Sequence, residues 1–142
     1  MLRFLEAVRD ALQASGRFKS VFLTPQVSDD WGDMIPPWAR LPAAGVADGP
    51  EEAARDLAAE GVERTLEIRV SLYVAAHDEP ERMVTALQER VEEVVDLLHH
   101  NDLGLEGVFL AEYAGATGTM MVATPAGDAA RKALTFRYWL EE

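Results

Sequence analysis

The chain has no cysteine among its 142 residues. Disulfide frameworks and thiolate sites are therefore excluded, which fits a cytoplasmic protein. No apolar run approaches the roughly 20 residues that cross a bilayer. The N-terminal stretch MLRFLEAVRDALQA alternates apolar and charged positions, unlike the unbroken apolar core of a secretory signal. A membrane partner is not expected. Nor is there a basic patch to displace counterions from nucleic-acid phosphates, because 13 Lys and Arg face 25 Asp and Glu. The glycines of AGATGTM (114–120) lack a phosphate-loop lysine, and no GxGxxG follows a strand and opens a helix. Ser15, Ser20, Ser28 and Ser71 sit in no nucleophile-elbow context. The reading expects no cofactor, no metal and no catalytic residue.

What is present is one domain's worth of chain, with 49% hydrophobic and 27% charged residues, as in a folded globular protein. The net charge of −12 is concentrated in two places. Residues 29–63 carry nine acids against Arg40 and Arg55, and residues 78–100 carry seven against Arg82 and Arg90. Outside these segments the charges balance. Solubility is the plain explanation of such acidic runs.

Leu2, Leu5, Val8 and Leu12 recur at helical spacing and predict an N-terminal helix ending near Ser15-Gly16. FKSVFLT (18–24) reads as a short strand closed by Pro25. Residues 25–61 hold five of the seven prolines and form the least regular part of the chain. Within them IPPWARLPAAGV suggests an extended edge strand, because its prolines cannot donate to a central ladder. GPEEAARDLAAEG has the composition of a short helix, with Pro50 in the first turn and Gly61 as the stop. The clearest strand is VERTLEIRVSLYVAA, where Leu66, Ile68, Val70, Leu72 and Val74 alternate with Thr65, Glu67, Arg69, Ser71 and Tyr73. Its length suggests a strand that bends or projects from the body.

A long helix is predicted at about Glu79 to His100, with a buried stripe of Met83, Leu87, Val91, Val94 (or Val95) and Leu98. Strands GVFLAEYAG, TMMVAT and KALTFRYWLE follow, joined by AGATG and PAGDAARK, which are short enough to connect antiparallel neighbours. The expected order is α-β-(β)-(α)-β-α-β-β-β. That order predicts an α+β fold with a mostly antiparallel sheet and two packed helices.

AHDEPERM (76–83) concentrates the chemistry-bearing residues His77, Asp78, Glu79, Glu81 and Arg82. A helix start explains each of them. Asp78 caps, Pro80 occupies the first turn and Glu81 closes a capping box, or Glu79 caps with Pro80 in the first helical position. The competing reading is a small enzyme or metal-binding protein that uses His77, Asp78 and Glu81. Neighbours on a strand face opposite ways, however, and His99 and His100 lie roughly 30 Å away along the helix. In HHND (99–102) adjacent histidines diverge by about 100°, so helix termination outweighs a metal site. Trp31 and Trp38, in a polar proline-rich stretch with Met34 and Arg40, are candidate protein-interface residues, as is Met120. An acidic adaptor that binds a partner through Trp31 and Trp38 is a third possibility. For Met121 and Trp139, core packing competes with a surface role.

The strand ending TLEIRVSLYVAA, the helix start DEPERM, the LGLEGVFL step and the closing ALTFRYWLEE together resemble the tail-terminator and tail-completion proteins of long-tailed phages and prophages, of the minor tail protein U type. The N-terminal helix, short strand and proline-containing stretch extend the resemblance over nearly the whole chain. The resemblance implies a single structural domain, residues 1–142, that assembles into a homo-oligomeric, hexameric ring on the tail tube. Such a ring stops tube polymerisation and docks to the head-connector or neck protein. It implies assembly in the host bacterial cytoplasm, a final place in the virion tail, and DNA only passing through the lumen. An acidic lumen would repel that DNA. The irregular segment 25–61, the long strand and the loops near 114–133 become the expected contacts with neighbouring subunits or tube.

Overall fold

A computed structural model describes residues 1–28, 32–55 and 62–141. Two helices lie on one face of a six-stranded, mostly antiparallel sheet, giving an α+β fold. The elements are α1 (Leu2–Ala14), β1 (Ser20–Leu23), β2 (Gln26–Ser28), β3 (Gly32–Asp33), β4 (Ala43–Arg55), β5 (Val62–Ala75), α2 (Pro80–Leu98), β6 (Val108–Ala116), β7 (Met120–Thr124) and β8 (Gly127–Glu141). The main sheet runs β1-β4-β5-β8-β6, with β7 also on β8, while β2 and β3 form a separate small antiparallel pair. Among the described residues only the β1–β4 pairing in the main sheet is parallel.

The period-two pattern of β5 decides the core. Leu66, Ile68, Val70, Leu72 and Val74 point towards the helices and are buried. Leu134, Phe136, Tyr138 and Leu140 of β8 share that face, and α2 covers it with Leu87, Val91, Val94 and Leu98. From α1 the buried residues are Phe4, Val8 and Leu12, whereas Leu2 is exposed. The helix therefore turns Phe4 inwards, where its ring meets Tyr138 at 5.8 Å. Burying each such side chain stabilises the fold by about 1.5–3 kcal/mol relative to leaving it in water.

Four expectations about the strands change. GPEEAARDLAAEG is not helical where it is described. β4 runs on to Arg55, with Glu51 to Arg55 paired to β5, and residues 56–61 lie outside the described residues. Alanine and glutamate favour helix intrinsically, but a ladder along β5 overrides that weak preference. Gly49 and Pro50 sit where the β4 register shifts, so the missing proline donor coincides with a bulge. The strand starts only after Pro42 rather than at Ile35, and over Ala43 to Val46 it is interior to the sheet, flanked by β1 and β5. Long β5 does not project either, because β4 and β8 flank it along its length.

The fourth change concerns the last strands. Both β6 and β7 pair with β8 on the side away from β5, making one interrupted edge, so AGATG does not join paired neighbours whereas the loop before β8 does. Thr117 bridges the interruption: its N–H donates to Ala133 O at 2.8 Å, and its Oγ1 accepts from Ala133 N–H at 3.0 Å. The true hairpin is Thr124 to Gly127, where Thr124 Oγ1 donates to Gly127 O.

Candidate assembly surfaces

The helix start at AHDEPERM folds differently in detail from a capping box. Glu79 is the N-cap with Pro80 at the first helical position, and no side chain caps the helix. Neither Asp78 as cap nor Glu81 as the closing residue holds, although the Glu79–Pro80 arrangement does. Instead the ring of His77 tightens the entry turn, its Nδ1 accepting from Glu79 N–H at 3.0 Å. Arg82 then pairs with Glu79 at 3.2 Å. A proline at the first position removes one of the orphan N–H groups at the helix start and presets its φ for the first turn. His77, Asp78, Glu79, Glu81 and Arg82 are all exposed, beside an open groove of about 530 Å³.

The histidines at the far end of α2 serve the backbone. His99 Nδ1 accepts from Tyr113 N–H at 3.1 Å, and His100 N–H donates to Ala111 O at 3.0 Å. Their rings stack at 3.8 Å, and Asn101 Nδ2 donates to Leu97 O. His77 and this pair stand at opposite ends of the 19-residue helix. Among the described residues no group of three His, Asp or Glu side chains converges as a metal-ligand set.

The interface candidates divide between two places. Residues 34–42 are pinned beside β1: Thr24 Oγ1 donates to Met34 O at 2.7 Å, Arg40 N–H to Ser20 Oγ at 2.9 Å, and Lys19 N–H to Pro42 O at 2.8 Å. From this pinned segment Met34 (60% exposed) and Trp38 (62%) stand outwards, with Arg40 also exposed. Trp38 meets Phe22 edge-on at 6.1 Å, which props the indole without covering it. Ile35 and Leu41 fold inwards instead, onto Phe22, Ala39, Ala43, Tyr73 and Ala129 on the sheet face away from the helices. Trp31 lies outside the described residues.

Met120 lies at the other side of the sheet, on β7. It is 41% exposed; Met121 beside it is exposed rather than core, and farther along the same edge Phe109 and Leu110 of β6, which the sequence reading did not single out, are exposed as well. A strand buried on both faces and an edge strand exposed on one carry similar apolar residues, so composition alone does not separate them. Trp139 is half-buried on the sheet face away from the helices.

That same face holds a second feature the sequence reading missed. Arg69 and Arg131 line a cavity of about 400 Å³ with Thr117, Thr135, Gly115 and Ala133. Arg131 is 4% exposed, and its Nη2 donates to Ser71 Oγ at 2.9 Å. Farther along, Arg137 pairs with Glu67 at 3.2 Å. The signal was in the alternation: Arg69 and Arg131 fall on positions opposite the apolar face of their strands.

No family model matches the chain, and no curated protein does either. Solved structures do match. One is a chain from the virion of a native gene transfer agent (GTA) particle, with a TM-score of 0.62 and 22% identity over 97% of this chain and 94% of that one. The two chains share a fold over nearly their whole lengths.

Proposed function

We propose that the chain is a structural subunit of a phage-type virion, a tail terminator that forms a ring capping the tail tube. On this reading the ring stops tube polymerisation and offers a surface to the head-connector protein. The chain assembles in the bacterial cytoplasm, ends in the virion tail, contacts DNA only in transit and performs no catalysis. The observation that carries the reading is the end-to-end match to a chain from a gene-transfer-agent virion. Exposed apolar side chains at Met34 and Trp38, and along the β6–β7 edge, suit a protein that is completed by neighbours. The open, exposed setting of His77 lends the enzyme reading no support.

Light scattering of the purified protein tests ring formation, and electron microscopy with isolated tail tubes tests capping. A ring, with rings seated at tube ends, is the expected result. A strict monomer at high concentration that also leaves tube ends bare overturns the reading.

A further inference from the structure

Two exposed apolar surfaces lie at opposite edges of the main sheet, one beside β1 and one on β6 and β7. Beside β1, Ala39 N–H donates to Pro36 O at 3.0 Å and closes a turn that carries Pro37 and Trp38 at its tip. The two prolines have fixed φ, so the turn holds the exposed indole outwards with little conformational freedom left to lose. At the other edge the β6 register shifts between Val108 and Leu110, which makes Phe109 the extra residue of a bulge. A bulge re-aims a side chain, and Phe109 and Leu110 are both exposed there. With Val108, Ala111, His100 and Asp102 they line an open hollow of about 390 Å³.

We propose that these are the two halves of one contact between copies of this chain: Trp38 of one copy seats in the Phe109–Leu110 hollow of the next, and Arg40 beside it meets Glu112 at the rim. This rests on the ring reading and names the contact that would build it. The distribution of charge favours a second copy as the occupant. Copies of net charge −12 repel one another, so they associate where charge is scarce or opposed. Residues 34–47 hold one charged residue, Arg40, and residues 107–127 hold one, Glu112, in a chain that is 27% charged. The two are exposed and of opposite sign, and neither makes an ion pair among the described residues. Asp102 in the lining adds a second acid facing the same guanidinium. Strand addition does not compete at this place, because Tyr113 N–H and Ala111 O of β6 are already tied to His99 and His100. The contact is therefore one of side chains, an aromatic anchor with a charged rim. Its two surfaces are unlike and stand at opposite edges, so it is heterologous. Repeated from copy to copy, it generates a ring when the rotation closes.

The test uses full-length protein and the variants Trp38→Ala, Phe109→Glu and Arg40→Gln, with association followed by analytical ultracentrifugation. Wild type is expected to assemble, and Trp38→Ala and Phe109→Glu each to assemble roughly 30-fold more weakly. Each of these two keeps one intact half, so mixing them is expected to give a 1:1 pair that grows no further. Arg40→Gln is expected to assemble severalfold more weakly than wild type at about 50 mM NaCl. At about 500 mM, where the screening length is roughly threefold shorter, the difference should vanish. All three changes are at exposed positions, and circular dichroism checks each fold. Wild-type-like assembly of Trp38→Ala or of Phe109→Glu overturns the proposal and leaves the ring reading standing. Loss of assembly in both, with no pair on mixing, overturns it too, since the two surfaces then do not meet each other. If the variants form rings normally but no longer seat on tail tubes, the surfaces serve the tube and the proposal is wrong. Failure of wild type to assemble, even on tail tubes, overturns the ring reading as well.

Discussion

The backbone N–H of Tyr113 donates to Nδ1 of His99 at 3.1 Å, tying the end of α2 to the strand β6. His100 adds a second tie to Ala111, so the helix terminus covers backbone groups of a strand that would otherwise be an open edge. Unpaired edges recruit other strands, and a covering segment limits that. His99→Ala removes the side-chain acceptor but leaves the His100 tie. The expected outcome is faster hydrogen exchange at the Tyr113 amide with little change elsewhere in β6. Native-state exchange by NMR measures it, and unchanged Tyr113 protection would show that the tie has no energetic weight.

Tyr138 is buried beside Phe4, and among the described residues its hydroxyl has no hydrogen-bond partner. Burial pushes its phenol well above its ordinary range, because the phenolate cannot be solvated there. Tyr138→Phe removes the unsatisfied group and keeps the ring, so stability is expected to stay level or rise by up to about 1 kcal/mol. The pH dependence has a definite sign. The neutral form is favoured in the folded state, so stability is full below about pH 10 and declines as pH rises further and the unfolded chain ionises first. Urea titrations at pH 8 and pH 11 should show a smaller alkaline loss in the variant.

The start of α2 separates composition from geometry. Asp78 is exposed and caps nothing, so Asp78→Ala is expected to change stability by less than about 0.5 kcal/mol. Leu87, 1% exposed on the inward stripe, should cost about 2–5 kcal/mol on replacement by alanine. Thermal unfolding of the two variants compares them directly. A cap-sized loss in Asp78→Ala, near 1 kcal/mol, would restore the capping reading.

What could be read in advance follows from how local the signals are. The alternation of β5 and the stripe of α2 each fix one face of one element, and both faces are the buried ones in the structure. Partner choice is non-local. Nothing in EEAAR marks it as a strand, because its conformation comes from pairing with Val62 to Leu66. The β6–β7 break likewise depends on both segments choosing the same side of β8. The interface candidates were recognisable as apolar residues in polar surroundings at Met34 and Trp38. The Arg69–Arg131 cavity was not, since it joins residues 62 positions apart across a strand pair.

Gly107 has φ +84°, and a Cβ there would lie 2.7 Å from the carbonyl oxygen of Glu141. Glu141 N–H donates to Gly107 O at 2.9 Å, so this close approach fastens the end of β8. Gly107→Ala combines left-handed strain with a backbone clash that no side-chain rotation relieves. It is expected to destabilise by about 2 kcal/mol or more, read as a lower urea midpoint. A midpoint equal to wild type would mean that the turn relaxes freely.

Trp38 is the exposed aromatic on which the assembly reading bears most directly. Its edge-on contact with Phe22 is its one ring contact among the described residues, so Trp38→Ala should lower monomer stability by no more than about 1 kcal/mol. If the pinned 34–42 segment faces a neighbouring subunit or the tube, the same change removes a central aromatic anchor. Association should then weaken by about 2 kcal/mol, or roughly 30-fold, while the melting temperature of the monomer barely moves. Measuring both on one sample separates the roles. A matched loss of stability and assembly would assign Trp38 to the fold, and loss of assembly alone assigns it to the interface.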